Sequence, residues 1–239
     1  MNYFFDTRFM FESIPKIIQY LPITLEIAVA SMVIAIIIGI FTALIKIYKI
    51  PVLKQISWIY VSFIRGTPLL VQLYITYYGI PKVLNLFQSQ YGLFINVDIN
   101  TISTTYYALF AFSINLGAYL SETIRSAIES VDIGQFEAAE SIGMNHIQLM
   151  LKIVLPQAAL VALPNLGNTL ISTVKDTSLI FMISIIDVMG EAQIIGARTL
   201  RFFEVYIAVS LIYWITCVLL ERCFYLLEKR LRVYERSIV

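Results

Sequence analysis

Gln135–Pro156 reads Q-F-E-A-A-E-S-I-G-M-N-H-I-Q-L-M-L-K-I-V-L-P, a polar, helix-friendly segment set between apolar runs. Gln135 to Ile142 contains good helix formers and the small pair Ala138–Ala139. Gly143 then interrupts the helix, as a glycine just past a helix C-terminus does. Asn145 suits the N-cap of a second helix beginning at His146. Ile147, Met150, Leu151 and Val154 fall on one face of that helix. Pro156 limits or kinks it where the next apolar run begins. The stretch therefore predicts a helix–turn–helix elbow on the surface of a membrane protein. Its alanine pair leaves one helix face nearly bare, open to a groove or backbone of another protein.

The solvent for most of the chain is identified by composition. Of 239 residues, 59% are hydrophobic and 14% charged, and the mean hydropathy is +0.81. A soluble domain carries about 25% charged residues. So much apolar surface requires a bilayer. The net charge of +1 argues against a nucleic-acid partner. Cys217 and Cys223 lie six apart in or near one span and point to different helix faces, which argues against a disulfide or a metal site. The lone His146 reads as a surface residue of the elbow. No cleavable signal peptide is evident, because the first apolar run is too long and lacks a basic leader. No phosphate-loop pattern G-x-x-x-x-G-K-[ST] is present, so the chain has no recognisable phosphate loop of its own.

The chain alternates apolar runs with short polar links. Residues 1–20 form an interfacial, amphipathic segment in which Phe4, Phe5, Phe9, Met10 and Phe11 alternate with Asp6, Arg8 and Glu12. The first span runs from about Leu21 to Ile45. Its Gly39 and Ala43, four apart, permit close helix packing. Glu26 sits near the start of that span and either snorkels to the headgroups or contacts a substrate or neighbouring helix. After a basic link with a turn at Pro51, a second apolar region from about Ile56 to Ile80 is broken at Arg65-Gly66-Thr67-Pro68. The break is either a plain kink, with Arg65 reaching the headgroups, or a gate or docking element. Pro81 to Thr101 reads as a loop. A third span from about Ile102 to Leu120 leads through Glu122 and Arg125, which can pair across one turn, into the elbow.

The fourth span, about Lys152 to Val174, is the most polar. Asn165, Asn168, Thr169, Ser172 and Asp176 recur at helical spacing and form one stripe. Such a stripe is either interhelical hydrogen-bond glue or the wall of a translocation path. Lys175 and Asp176 follow; adjacent on a helix, they need separate partners, and their opposite signs suit either a zwitterionic ligand or salt bridges. Ile180 to Arg201 reads as short outer helices and turns, and a fifth span runs from about Val205 to Leu220, continuing to Leu231. Tyr206, Tyr213 and Trp214 are candidate interface anchors. Most Lys and Arg residues reach the cytoplasm only if the N-terminus lies outside and the C-terminus inside.

These residues also carry a resemblance. Glu137-Ala138-Ala139, then Gly143, Ile153 and Leu155-Pro156 at their spacing resemble the EAA loop of ABC-importer permeases. F-I-R-G-T-P-L-L-V-Q-L, A-Y-L-S-E-T-I-R and K-D-T-S-L resemble further signatures of the polar-amino-acid branch. The resemblance spans about Leu21 to Tyr234. It implies an all-α membrane protein of type I ABC-importer permease architecture, with five transmembrane helices and a cytoplasmic coupling loop at about 121–156. The permease domain would be 21–231 and the cytoplasmic tail 232–239. It implies a bacterial cytoplasmic (inner) membrane location and a homodimer or heterodimer of permeases. It implies a separate ATP-binding subunit that holds ATP and Mg, with no cofactor in this chain, and an extracytoplasmic substrate-binding protein. S-I-G-M, the K-D-T-S-L segment and A-R-T-L look most like the L-cystine branch, although Thr173 stands where the pattern has Leu. Glutamine, arginine or histidine remain as alternatives. A stand-alone secondary transporter would show inverted repeats and paired intramembrane charges; a membrane enzyme would need a nucleophile, acid–base pair or metal cluster.

Overall fold

Residues 5–236 are described by a computed structural model. Phe4, assigned to the interfacial segment, and residues 237–239 of the tail lie outside them. Ten helices follow in order: α1 (Thr7–Ile18), α2 (Leu21–Ile47), α3 (Leu53–Arg65), α4 (Leu69–Tyr91), α5 (Thr104–Glu129), α6 (Ile133–Ser141), α7 (His146–Leu149), α8 (Leu155–Asp176), α9 (Val188–Thr199) and α10 (Phe202–Arg236). No strand occurs among the described residues.

The sequence explains where these helices start and bend. Asp6 caps α1, its carboxylate accepting the Phe9 N–H at 3.0 Å. α1 lies against α9 and α10 and is pinned there by the Asp6–Arg201 ion pair. Met10 and Ile17 of its apolar face join Val188, Val205 and Ile212 in one buried cluster. Asp187 begins α9 and is fully buried. It accepts the Gly190 N–H at 2.9 Å and hydroxyls of Thr24 and Tyr213 at 3.3 and 3.4 Å. Burial raises its carboxyl above the ordinary carboxylate range, and these donors oppose that rise.

α5 is the central post, packed by α2, α3, α4 and α8. Where α2 packs on α5, a side chain on Gly39 would lie 3.1 Å from Leu120 Cβ, and Ala43 is fully buried, as the small-residue spacing predicts. On the outward faces Val33, Ile37 and Phe41 of α2 and Trp214 and Leu219 of α10 remain exposed. That apolar belt suits lipid contact. Among the described residues three helical stretches are long and apolar enough to cross a bilayer: Leu21–Ile47, His146–Ile183 and Phe202–Leu231. The bent pair α3–α4 would make a fourth if it is one span.

Two expectations need correction. Only the second half of Pro81 to Thr101 is loop: α4 runs through Pro81 to Tyr91 and ends at Gly92 in the left-handed conformation (φ +62°), and the residues beyond it form turns and a short 3-10 segment, Ile99–Thr101. Proline deletes one backbone hydrogen bond, but the apolar helical pattern of Val83, Leu84 and Phe87 carries the helix past it. The break at Arg65–Pro68 is also far more than a kink, since α3 and α4 meet at 109°. Ile180–Arg201 does form short elements, a 3-10 turn over Thr177–Ile183 and then α9.

Candidate functional site

The elbow is built by its caps. Asp132 accepts the Gly134 N–H at 2.6 Å and starts α6. Gly143 adopts φ +80°, where a side chain would be strained, and its N–H closes on Glu140 O at 2.9 Å. Asn145 and Gln148 form a reciprocal capping box at 2.9 and 3.1 Å that starts α7. The two alanines divide their roles. Ala139 is buried with Ala127, Leu149, Val154 and Ala158, whereas Glu137 and Ala138 face outward. Ile153 packs on the same cluster, and Leu155 and Pro156 lie at the exposed start of α8.

The apolar face expected of the second helix is partly inverted. Leu149 and Val154 point inward, but Ile147 and Leu151 are exposed. A π-helical turn over Met150–Val154 widens each loop of the helix there, so a uniform 3.6-residue period misplaces the faces. The outcome is an apolar tip: Ile142 is 73% and Ile147 69% exposed, on either side of the Gly143 turn.

Polar links tie this tip to the helix bundle. His146 is exposed as expected, but its Nε2 is 2.8 Å from Tyr48 Oη at the end of α2. Glu122 accepts from Lys46 of α2 and, at 2.8 Å, from Arg125, which also donates to Glu129 at 2.6 Å. The Lys46 side chain is only 12% exposed. Glu122→Ala should therefore lower stability by about 1–3 kcal/mol, because it strands a nearly buried ammonium. Thermal denaturation of the purified protein should show the drop, and Glu122→Ala with Lys46→Met should recover part of it. An unchanged midpoint would mean that Lys46 finds other partners.

The polar stripe does converge. Asn165, Asn168, Thr169, Ser172 and Asp176 line one cavity of about 450 Å³ together with Thr67, Pro68, Asn115 and Tyr119. Lys175 does not line it, so Asp176 supplies the formal charge of the described lining. Arg65 and Gly66 border a second cavity of about 790 Å³ at the elbow end, with Lys46, Lys54, Trp58, Glu122 and Arg125. Tyr119 borders both.

Gln72, Asn115 and Tyr119 were not singled out in the sequence. Gln72 is buried and repairs the α3–α4 break. Its Nε2 donates to Ile64 O at 2.9 Å, Thr67 O at 3.1 Å and Thr67 Oγ1 at 2.8 Å, and its Oε1 accepts from Asn115 Nδ2 at 2.9 Å. Pro68 has no N–H to offer Ile64, the residue four before it, and the Gln72 amide takes that place. A polar residue inside an apolar span, as both amides are, was the available signal.

A family model described as "Binding-protein-dependent transport system inner membrane component" matches residues 35–233. The chain belongs to this family. Among its relatives, the L-cystine transport system permease protein TcyL of Bacillus subtilis (strain 168) is 40% identical over 98% of this chain and 95% of its own. A putative glutamine transport system permease protein, GlnP of Rickettsia bellii (strain RML369-C), is 36% identical over 88% and 90%. A solved structure described as an amino acid ABC transporter with histidines superposes with a TM-score of 0.80 at 34% identity, covering 95% of this chain and 100% of the other. The chain thus covers nearly the whole length of these relatives.

Proposed function

We propose that this chain is the permease subunit of an ATP-driven importer that carries a polar amino acid, L-cystine in the first instance, across the bacterial cytoplasmic membrane by alternating access. Five spans serve this reading: α2, the bent pair α3–α4, α5, α8 and α10, with the N-terminus outside. The elbow then faces the cytoplasm, where Glu137, Ala138, Ala139, Gly143, Ile153, Leu155 and Pro156 shape the docking element for a separate ATP-binding subunit. That subunit holds ATP and Mg. An extracytoplasmic binding protein delivers the substrate, and a second permease, identical or similar, completes the path. The substrate path runs along Asn165, Asn168, Thr169, Ser172 and Asp176.

The observation that carries the reading is the apolar tip. Ile142 and Ile147 are open at the turn of a well capped segment that also exposes Ile133 and Leu151. Exposed apolar residues held on a rigid turn are suited to a groove in a partner. ATP and loaded binding protein must both favour the outward state, or hydrolysis is not coupled to transport. The nearness to a cystine permease in sequence supports cystine; glutamine, arginine and histidine are the alternatives.

Uptake of labelled L-cystine in cells lacking and then regaining this chain tests the substrate. Restored uptake that excess unlabelled cystine suppresses, and glutamine, arginine and histidine do not, is the expected result. Suppression by one of those three instead would reassign the substrate. Restored uptake in cells without any ATP-binding partner would favour an ion-coupled carrier.

A further inference from the structure

The two cavities meet at one side chain. Tyr119 of α5 borders the stripe-lined pocket and also the larger cavity beside the elbow. The Arg65 guanidinium lies over its ring, 5.3 Å from the centroid. The turn after Arg65, the last residue of α3, divides in the same way, Gly66 bordering the larger cavity and Thr67 and Pro68 the pocket. We propose that the Arg65–Tyr119 stack is the inner gate between the substrate pocket and an exit vestibule, and that Gln72 is the positioning residue that holds it. This rests on the transport reading above and adds to it the point of closure and its support.

The physical case has three parts. A cation over an aromatic face is a modest contact, so it can part within a transport cycle. A gate also needs a fixed frame. Gln72 gives one: a single amide, buried on α4, joins the last turn of α3, the Thr67 carbonyl and hydroxyl, and Asn115 of α5. Thr67 Oγ1 in turn donates to Phe63 O at 2.9 Å, and Tyr60 Oη donates to Ile114 O at 2.7 Å, so α3 is also tied to α5 before the break. Finally, the vestibule is bordered by Glu122 and Arg125, in the last turns of α5 before the elbow. Movement of the elbow is thereby applied to the helix that carries Tyr119. A zwitterion leaving the pocket has groups for both halves of the stack: its carboxylate for Arg65 and its ammonium for the Tyr119 ring.

The test is access from the cytoplasmic side. In a Cys217→Ser, Cys223→Ser background, Ser172→Cys reports on the pocket and Ser62→Cys on the vestibule. The full complex, held in the outward state by a non-hydrolysable ATP analogue in inside-out vesicles, is labelled with a membrane-impermeant, trimethylammonium-bearing methanethiosulfonate. Tyr119→Ala should raise the labelling rate at position 172 at least tenfold, while Tyr119→Phe, which keeps the ring, stays within twofold. Gln72→Leu should open position 172 similarly and leave position 62 unchanged. Arg65→Gln gives a second gate variant should Tyr119→Ala fail to assemble. Labelling at position 172 within twofold of the parent in every assembled gate variant would overturn the gate. Uptake by the wild-type complex is measured alongside: uptake without a change in labelling removes the gate alone, and absence of uptake removes the transport reading.

Discussion

The double variant Ile142→Glu/Ile147→Glu is expected to fold and insert like the parent and to lose its ATP-binding subunit. Both side chains are largely exposed, so the substitutions disturb little in the isolated chain. Docked into a groove, each would contribute about 1.5–3 kcal/mol through burial of its apolar surface. Two glutamates remove that gain and add the cost of desolvating charge. Since 1.4 kcal/mol is a factor of ten, binding should weaken by at least about a hundredfold. Co-purification from membranes reads this directly, and uptake should fall with it. Ala139→Asp supplies the contrast: it places a carboxylate among Ala127, Leu149 and Val154 and should unfold the elbow itself, visible as a lowered thermal midpoint. A double variant that still co-purifies and transports would show that the tip is not the docking surface.

The second large effect is expected at Asp176. The stripe-lined cavity offers neutral amides and hydroxyls and this one carboxylate. An ammonium group of the substrate would make its charged contact there, and hydrogen bonds to charged groups are worth about 1.5–3 kcal/mol. Asp176→Asn should therefore raise the apparent KM for transport by roughly ten- to a hundredfold, by the same contact energy. Complex assembly should be unchanged. Lys175→Ala, at a residue outside the cavity lining, should change KM by less than about threefold, within the range of substitutions away from a contact. Equal kinetics for wild type and Asp176→Asn across the four candidate amino acids would remove Asp176 from the path.

Those two sites differ in how far they could be read from residues alone. The elbow was legible because its determinants are local: Asn145 and Gln148 cap one helix, and Gly143 sits where a positive φ is needed. Which side faced outward was not, because the π-helical turn over Met150–Val154 shifts the helix faces and no composition rule announces it. The polar stripe was legible from helical spacing, and its five residues do share a cavity. Its counterparts on α5, Asn115 and Tyr119, are brought there by tertiary packing. The helix through Pro81 is hard to read from residues alone because a proline signals a break, while the apolar pattern on both sides of it carries the helix on. The break at Arg65–Pro68 was read, but its 109° angle depends on Gln72, a residue four positions beyond Pro68 whose role appears only once α3, α4 and α5 are assembled.

ATP hydrolysis by the purified, reconstituted complex bears most directly on the claim that a separate subunit drives this permease through its elbow. The chain alone should hydrolyse no ATP. Joined to its cognate ATP-binding subunit in lipid, it should show hydrolysis that substrate-loaded binding protein stimulates, and Ile142→Glu/Ile147→Glu should abolish that stimulation. Hydrolysis by the isolated chain, or stimulation that survives the elbow substitutions, would contradict the account.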